Sequence, residues 1–200
     1  MAAEREYKFW VTGAFPDAEQ LRERYRARGL TLTARGVREQ RDVYYDTPAL
    51  TLLHAGVALR QRRFGGRTLA TYKGSGSVQD GLHVRDELEL PHTDPWPEAI
   101  SERLRPLVRL ADLRPLVTLS ARRERFLVVR GGEAQAELTF DEVAGLDVTG
   151  SGAVRFRELE LELLPATDEL ADLTAPLDLP GLTPHAGDKL SHTLTLLGRL

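Results

Sequence analysis

Alternation with a period of two runs through most of this chain. In Glu4-Arg5-Glu6-Tyr7-Lys8-Phe9-Trp10-Val11, the residues Glu4, Glu6 and Lys8 fall opposite Tyr7, Phe9 and Val11. In Phe156-Arg157-Glu158-Leu159-Glu160-Leu161-Glu162-Leu163, three glutamates fall opposite three leucines. A strand sends successive side chains to opposite faces, so residues two apart project together at about 6–7 Å spacing. Similar segments lie between these two. Arg60 and Arg62 share a face, as do Thr71 and Lys73. Arg85, Glu87 and Glu89 lie opposite Leu88 and Leu90, Arg123 pairs with Arg125, and Glu137 and Asp141 oppose Leu138 and Phe140. The pattern predicts a succession of antiparallel strands, each with one apolar and one ionic face.

One such strand is what any sheet with a single wet face displays. The repetition of acidic combs beside arginine pairs fits a closed sheet better, with the apolar face outward under helices and the ionic faces converging on a lumen. Like charges crowded there repel, and desolvating them is costly unless ligands of both signs neutralise them. Carboxylates suit divalent cations and guanidinium groups suit phosphate. A metal-complexed polyphosphate answers both.

The order of these segments resembles the CYTH domain, the triphosphate tunnel metalloenzyme family. Glu4-x-Glu6-x-Lys8 matches its ExExK signature, and Gln40 to Thr47 looks like its second strand. Leu52 to Arg62, with Gly56 ahead of Leu59-Arg60-Gln61-Arg62, looks like its L-x-x-x-G-x-x-L-R-x-R segment. Thr71-Tyr72-Lys73-Gly74, Arg85-x-Glu87-x-Glu89, Arg123-x-Arg125, Asp141, Glu158-x-Glu160 and Lys189 follow in order, so the likeness spans residues 4 to about 190.

The resemblance implies an α+β fold: a closed, eight-stranded antiparallel β-barrel forming a tunnel with a charged lumen, helices packed outside, and residues 1–200 as a single domain. It implies a hydrolase acting on triphosphates with Mg²⁺ or Mn²⁺. The implied metal ligands are Glu4, Glu6, Glu87, Glu89, Asp141, Glu158 and Glu160; Glu162 adds a further rung, and the family pattern favours Glu158 and Glu160. Lys8, Arg60, Arg62, Lys73, Arg85, Arg123, Arg125 and Lys189 would bind substrate, arginine as a bidentate fork and lysine as a movable charge. Glu4, Glu6, Lys8 and Lys73 would be catalytic. Family activities include hydrolysis of inorganic triphosphate, thiamine triphosphate and RNA 5′-triphosphates, and class IV adenylate cyclisation. With six Phe, five Tyr and two Trp and no evident aromatic clamp near the ladders, the expectation is inorganic triphosphate, cleaved to phosphate and pyrophosphate. The alternatives are the cyclase, the thiamine triphosphatase and a non-catalytic polyphosphate-binding module, the last disfavoured by so many carboxylates.

Three helices are expected. Asp17 is a plausible N-cap for one that ends near Gly29. A second spans Trp96 to about Ala111, and a third covers Asp168 to Leu173. Gly65-Gly66 and Gly131-Gly132 read as hairpin turns. Lys73-Gly74-Ser75-Gly76-Ser77 lacks the order of a phosphate-binding P-loop and reads as a flexible hairpin loop. His54, His83, His92, His185 and His192 lack metal-ligand spacing and read as scattered surface residues. Tyr44 and Tyr45, adjacent on a strand, point to opposite faces.

Bulk properties narrow the class. Twenty-seven basic and 30 acidic residues give a net charge of −3, which offers no global field for nucleic acid. With no cysteine, thiol chemistry, disulfides and zinc–thiolate sites are excluded. No signal-like core or membrane-length apolar run is visible, so a cytoplasmic protein, monomeric or homodimeric and apart from membranes, is expected.

Overall fold

The computed structural model describes residues 3–148, 150, 152–164, 167 and 170–200. In chain order the elements are β1 (Ala3–Val11), α1 (Ala18–Arg26), β2 (Thr31–Asp46), α2 (Thr51–His54), β3 (Ala58–Phe64), β4 (Arg67–Gln79), β5 (Leu82–Pro91), α3 (Glu98–Leu104), β6 (Arg114–Arg130), β7 (Glu133–Asp147), β8 (Ala153–Leu163), α4 (Leu170–Thr174), β9 (Leu182–Pro184) and α5 (Lys189–Leu196). Strands β5-β4-β3-β2-β6-β7-β8-β1 are antiparallel neighbours, and β1 pairs back onto β5, closing an eight-stranded barrel. The short β9 adds to the far end of β1, opposite Phe9 to Val11.

Apolar faces point outward, as the alternation requires. Phe9, Leu138, Phe140, Leu159 and Leu161 pack under α1 and α4 with Leu21, Tyr25 and Leu173. The Tyr25 hydroxyl donates to the Leu173 carbonyl at 3.0 Å, tying those helices together. On the other flank Leu59, Ala70, Leu88 and Leu90 lie beneath Ile100 and Leu104 of α3. Asp17 caps α1, its Oδ1 accepting from the amides of Glu19 and Gln20 at 2.9 Å.

Two expectations are corrected. The second helix stops at Leu104 instead of running to Ala111, because Pro106 has no amide to continue the ladder. The third helix is described over Leu170–Thr174, and Asp168 lies outside the described residues. The Lys73–Ser77 segment belongs to strand β4 and carries a register irregularity between Lys73 and Gly76, not a hairpin loop. A Cβ on Gly76 would stand 2.5 Å from the Val84 carbonyl, so this crossing needs glycine.

Helix α5 enters one end of the barrel. Leu190 and Leu194 pack against the lumen-facing Val117, Leu119, Ala121 and Val143, with Tyr44 and Ala58 completing an apolar plug. Gly145 permits this approach, since a Cβ there would meet the Thr193 methyl at 2.8 Å. The barrel is therefore a cup with an apolar floor. No helix among the described residues is long and apolar enough to cross a membrane.

Candidate active site

Above that floor is a cavity of about 400 Å³. Its lining carries eight acidic side chains, Glu4, Glu6, Glu87, Glu89, Glu137, Glu160, Glu162 and Asp188, and eight basic ones, Lys8, Arg38, Arg60, Arg62, Lys73, Arg85, Arg123 and Lys189. Strand register explains the convergence. Across β1 and β8, Glu6 faces Glu162, Lys8 faces Glu160 and Trp10 faces Glu158. Across β6, β7 and β8, Arg123 faces Asp141 and Asp141 faces Glu158.

A lumen of mutually repelling charges is not what forms. Arg62 donates from Nε and Nη2 to the two oxygens of buried Asp42, each at 2.8 Å. Arg60 lies 3.5 Å from Asp42, 3.8 Å from Glu87 and 3.7 Å from Glu89. Lys73 donates to Glu4 at 2.8 Å, and Arg85 bridges Glu4 at 2.7 Å and Glu6 at 2.9 Å. Lys8 pairs with Glu6 at 2.9 Å. Arg123 forks onto Asp141 at 2.7 and 2.5 Å and reaches Glu160 at 2.6 Å. Burial alone would raise the Asp42 carboxyl, but Arg62 and Arg60 outweigh it and hold it at about 2. Glu4 likewise is lowered despite burial, by Lys73 and Arg85.

Two groups depart from this balance. Glu162 has no ion-pair partner among the described residues. Burial, then Glu4, Glu6 and Glu160, push it up to about 7. The second is Arg38, lowered to about 10 by burial and by Arg123, Arg62 and Arg125.

The sequence-predicted residues divide by depth. Glu4, Glu6, Lys8, Arg60, Arg62, Lys73, Arg85, Glu87, Glu89, Arg123, Glu160 and Lys189 line the cavity together. Arg125 is not among the lining residues; it is held by Glu137 at 2.9 and 2.6 Å. Asp141 and Glu158 are fully buried near the floor. Oxygens of Asp141, Glu158 and Glu160 lie within 4.8 Å of one another, a grouping that suits a cation. The Lys189 ammonium occupies that position, 3.1 Å from Asp141, 2.5 Å from Glu160 and in contact with Glu158. Glu162, in contrast, faces Glu6 across the strand pair and lines the cavity. The carboxylates nearest the first comb are thus Glu160 and Glu162, one rung above the pair that the family pattern favours.

Three histidines correct the surface reading. His83 is buried and its Nε2 lies 2.8 Å from the His185 carbonyl. His185 and His192 sandwich Trp10 with ring centroids 3.6 and 3.9 Å away, and His185 Nε2 lies 3.0 Å from Glu158. Their wide separation in sequence hid this cluster. Tyr44 and Tyr45 do split: Tyr44 joins the plug, while Tyr45 meets Trp96 outside.

A family model of the CYTH domain matches residues 2–177. The chain belongs to the CYTH family. Solved structures agree on the CYTH architecture. A candidate adenylate cyclase from Bacillus halodurans is 18% identical, with 94% of this chain and 95% of that one covered and a TM-score of 0.59. A candidate adenylyl cyclase from Hippeastrum, described as having a dominant triphosphatase activity, is 17% identical over 98% of this chain and 97% of that one, with a TM-score of 0.57. The PH1819 protein of Pyrococcus horikoshii OT3 is 20% identical over 98% and 99%, with a TM-score of 0.51. At these identities the likeness is one of fold.

Proposed function

We propose that this CYTH protein is a divalent-metal-dependent triphosphatase, with inorganic triphosphate as its substrate and phosphate and pyrophosphate as products. The observation that carries this reading is the even balance of eight acidic and eight basic side chains around one cavity. A bare polyanion would bring about four to five negative charges into a lumen whose cations, Arg38 apart, already have carboxylate partners. A metal–triphosphate complex instead exchanges partners: cations pass to phosphate oxygens while the released carboxylates pass to metal.

The donor set fits a hard cation, being made of carboxylate oxygens, with Glu4, Glu6, Glu160 and Glu162 clustered on β1 and β8 and Glu87 and Glu89 on β5, the strand on the other side of β1. Burial first, and then the charges of Glu4, Glu6 and Glu160, raise the Glu162 carboxyl, a cost that a bound cation would relieve. Bound Mg²⁺ or Mn²⁺ would supply charge neutralisation and water activation. Asp141 and Glu158 hold Lys189 in place instead of metal.

The chain's own cations do the rest. Arg60, Arg62 and Arg123 present guanidinium forks to phosphate oxygens, and their carboxylate partners fix their orientation before substrate arrives. Lys8 and Lys73 offer mobile charge beside Glu6 and Glu4, where charge builds up on the transferred phosphoryl group. The apolar floor admits phosphate from one side only, so any organic substituent would have to face the mouth.

Purified protein incubated with inorganic triphosphate, thiamine triphosphate or ATP, each with Mg²⁺ or Mn²⁺, tests the reading. Release of phosphate and pyrophosphate from inorganic triphosphate at the highest rate is expected. Cyclic AMP formation would make it a cyclase, and binding without turnover a polyphosphate-binding module.

A further inference from the structure

On β2 the lumen-facing residues run Tyr44, Asp42, Gln40 and Arg38. Tyr44 belongs to the floor, and Arg38 lies six residues further along, about 20 Å at roughly 3.3 Å per residue. Arg38 is thus at the mouth side of the cavity that it lines. Among the described residues, every other cation of the lining has a carboxylate within salt-bridge distance, and Arg38 has none. Glu137 is near enough to influence it but is engaged by both arms of Arg125.

Three further observations point the same way. Arg38 Nε is buried without an acceptor. Gln40, 4% exposed and next on the same face, has neither amide atom hydrogen-bonded. Buried donors without acceptors cost free energy until an acceptor arrives. The Arg38 guanidinium also lies over the Phe64 ring, 4.3 Å from its centroid. That contact holds the fork in place and covers a ring face on which a base would otherwise stack.

We propose that Arg38 binds the outermost phosphoryl group of a linear triphosphate and makes the site prefer an unesterified end there. This rests on the triphosphate reading above. Because the floor is closed, the mouth-side phosphate of inorganic triphosphate is a terminal group, whereas in a nucleoside triphosphate it is the esterified one. A terminal phosphate carries more charge and one more free oxygen, and an unpaired arginine rewards both.

The test is calorimetric titration of the wild type, R38A and R38Q with Mg²⁺-triphosphate and Mg²⁺-ATP. R38Q keeps a side chain over Phe64 should R38A fold poorly. In the wild type, triphosphate should bind more tightly than ATP. Both variants should lose about tenfold or more in affinity for triphosphate, the range for a hydrogen bond to a charged group, and less than threefold for ATP. A wild type that binds neither compound would overturn the triphosphate reading itself. A wild type that binds triphosphate, with variants whose triphosphate-to-ATP preference is unchanged, would overturn the role of Arg38 alone.

Discussion

The ammonium of Lys189 lies 3.1 Å from the carboxylate of Asp141, inside a group of three acids, two of them buried, that would otherwise repel one another. Burial alone would make this lysine easier to deprotonate; Glu158, Glu160 and Asp141 outweigh that and keep it charged. The first turn of α5 thus supplies a built-in cation at the floor of the cup.

Removing that charge should be costly. Lys189→Met strips the lysine charge from buried Glu158 and leaves Asp141 and Glu160 to share Arg123, and breaking a buried pair in this way costs about 3–5 kcal/mol. At roughly 2–4 °C per kcal/mol for a domain of this size, the melting temperature should fall by about 10 °C, and Mg²⁺ should recover part of it by filling the vacated position. A fall below about 2 °C would show that Lys189 contributes nothing to the floor.

The first comb should separate turnover from anion binding. Glu4 holds Lys73 and Arg85, so Glu4→Gln removes a proposed metal ligand while freeing two cations for phosphate. Turnover should fall by at least about a hundredfold, while triphosphate affinity measured without metal stays level or rises. Weaker metal-free binding together with normal turnover would reverse the assigned roles of Glu4 and its partners.

Acid stability should report the Asp42 pairs. This carboxyl titrates at about 2 in the fold against an ordinary 3.8, so the unfolded chain takes up its proton first as pH drops. Its contribution, about 2 kcal/mol, is present above pH 3.8 and disappears as pH falls towards 2. Urea denaturation across that range should show a shallower pH dependence in Asp42→Asn than in the wild type. Parallel curves would mean that Arg60 and Arg62 do not hold Asp42 ionised.

Much of this architecture was legible because a barrel enforces one rule on every strand. Leu159 and Leu161 must cover the outside if Glu158 and Glu160 face inward, so alternation alone fixes the faces. The rule fails where both faces are polar. On β2, Arg35 to Arg41 carries charged residues at odd and even positions because this stretch is solvated on its outer side, and Arg38 was invisible there. Helix α5 was missed for a different reason. Leu190 and Leu194 look like any apolar helix stripe, and only Gly145, which a sequence does not mark as a contact, lets them enter the barrel. Trp10 comes from β1 and its histidines from α5 and the loop before it, a juxtaposition that depends on α5 docking. Ion pairing across strands was equally hidden. Residue types predicted a charged lumen, but register decides that Arg62 meets Asp42 and Arg85 meets Glu4.

The central claim is that the cavity receives metal and triphosphate together, and thermal unfolding tests it most directly. Ligand that binds only the folded state adds about 2.7 kcal/mol at a hundredfold excess over Kd, which raises the melting temperature by several degrees. Because nearly every cation of the lumen is already paired with a carboxylate, Mg²⁺ with triphosphate should give a larger shift than either alone, and orthophosphate should give little. A melting temperature indifferent to millimolar Mg²⁺-triphosphate would contradict the account.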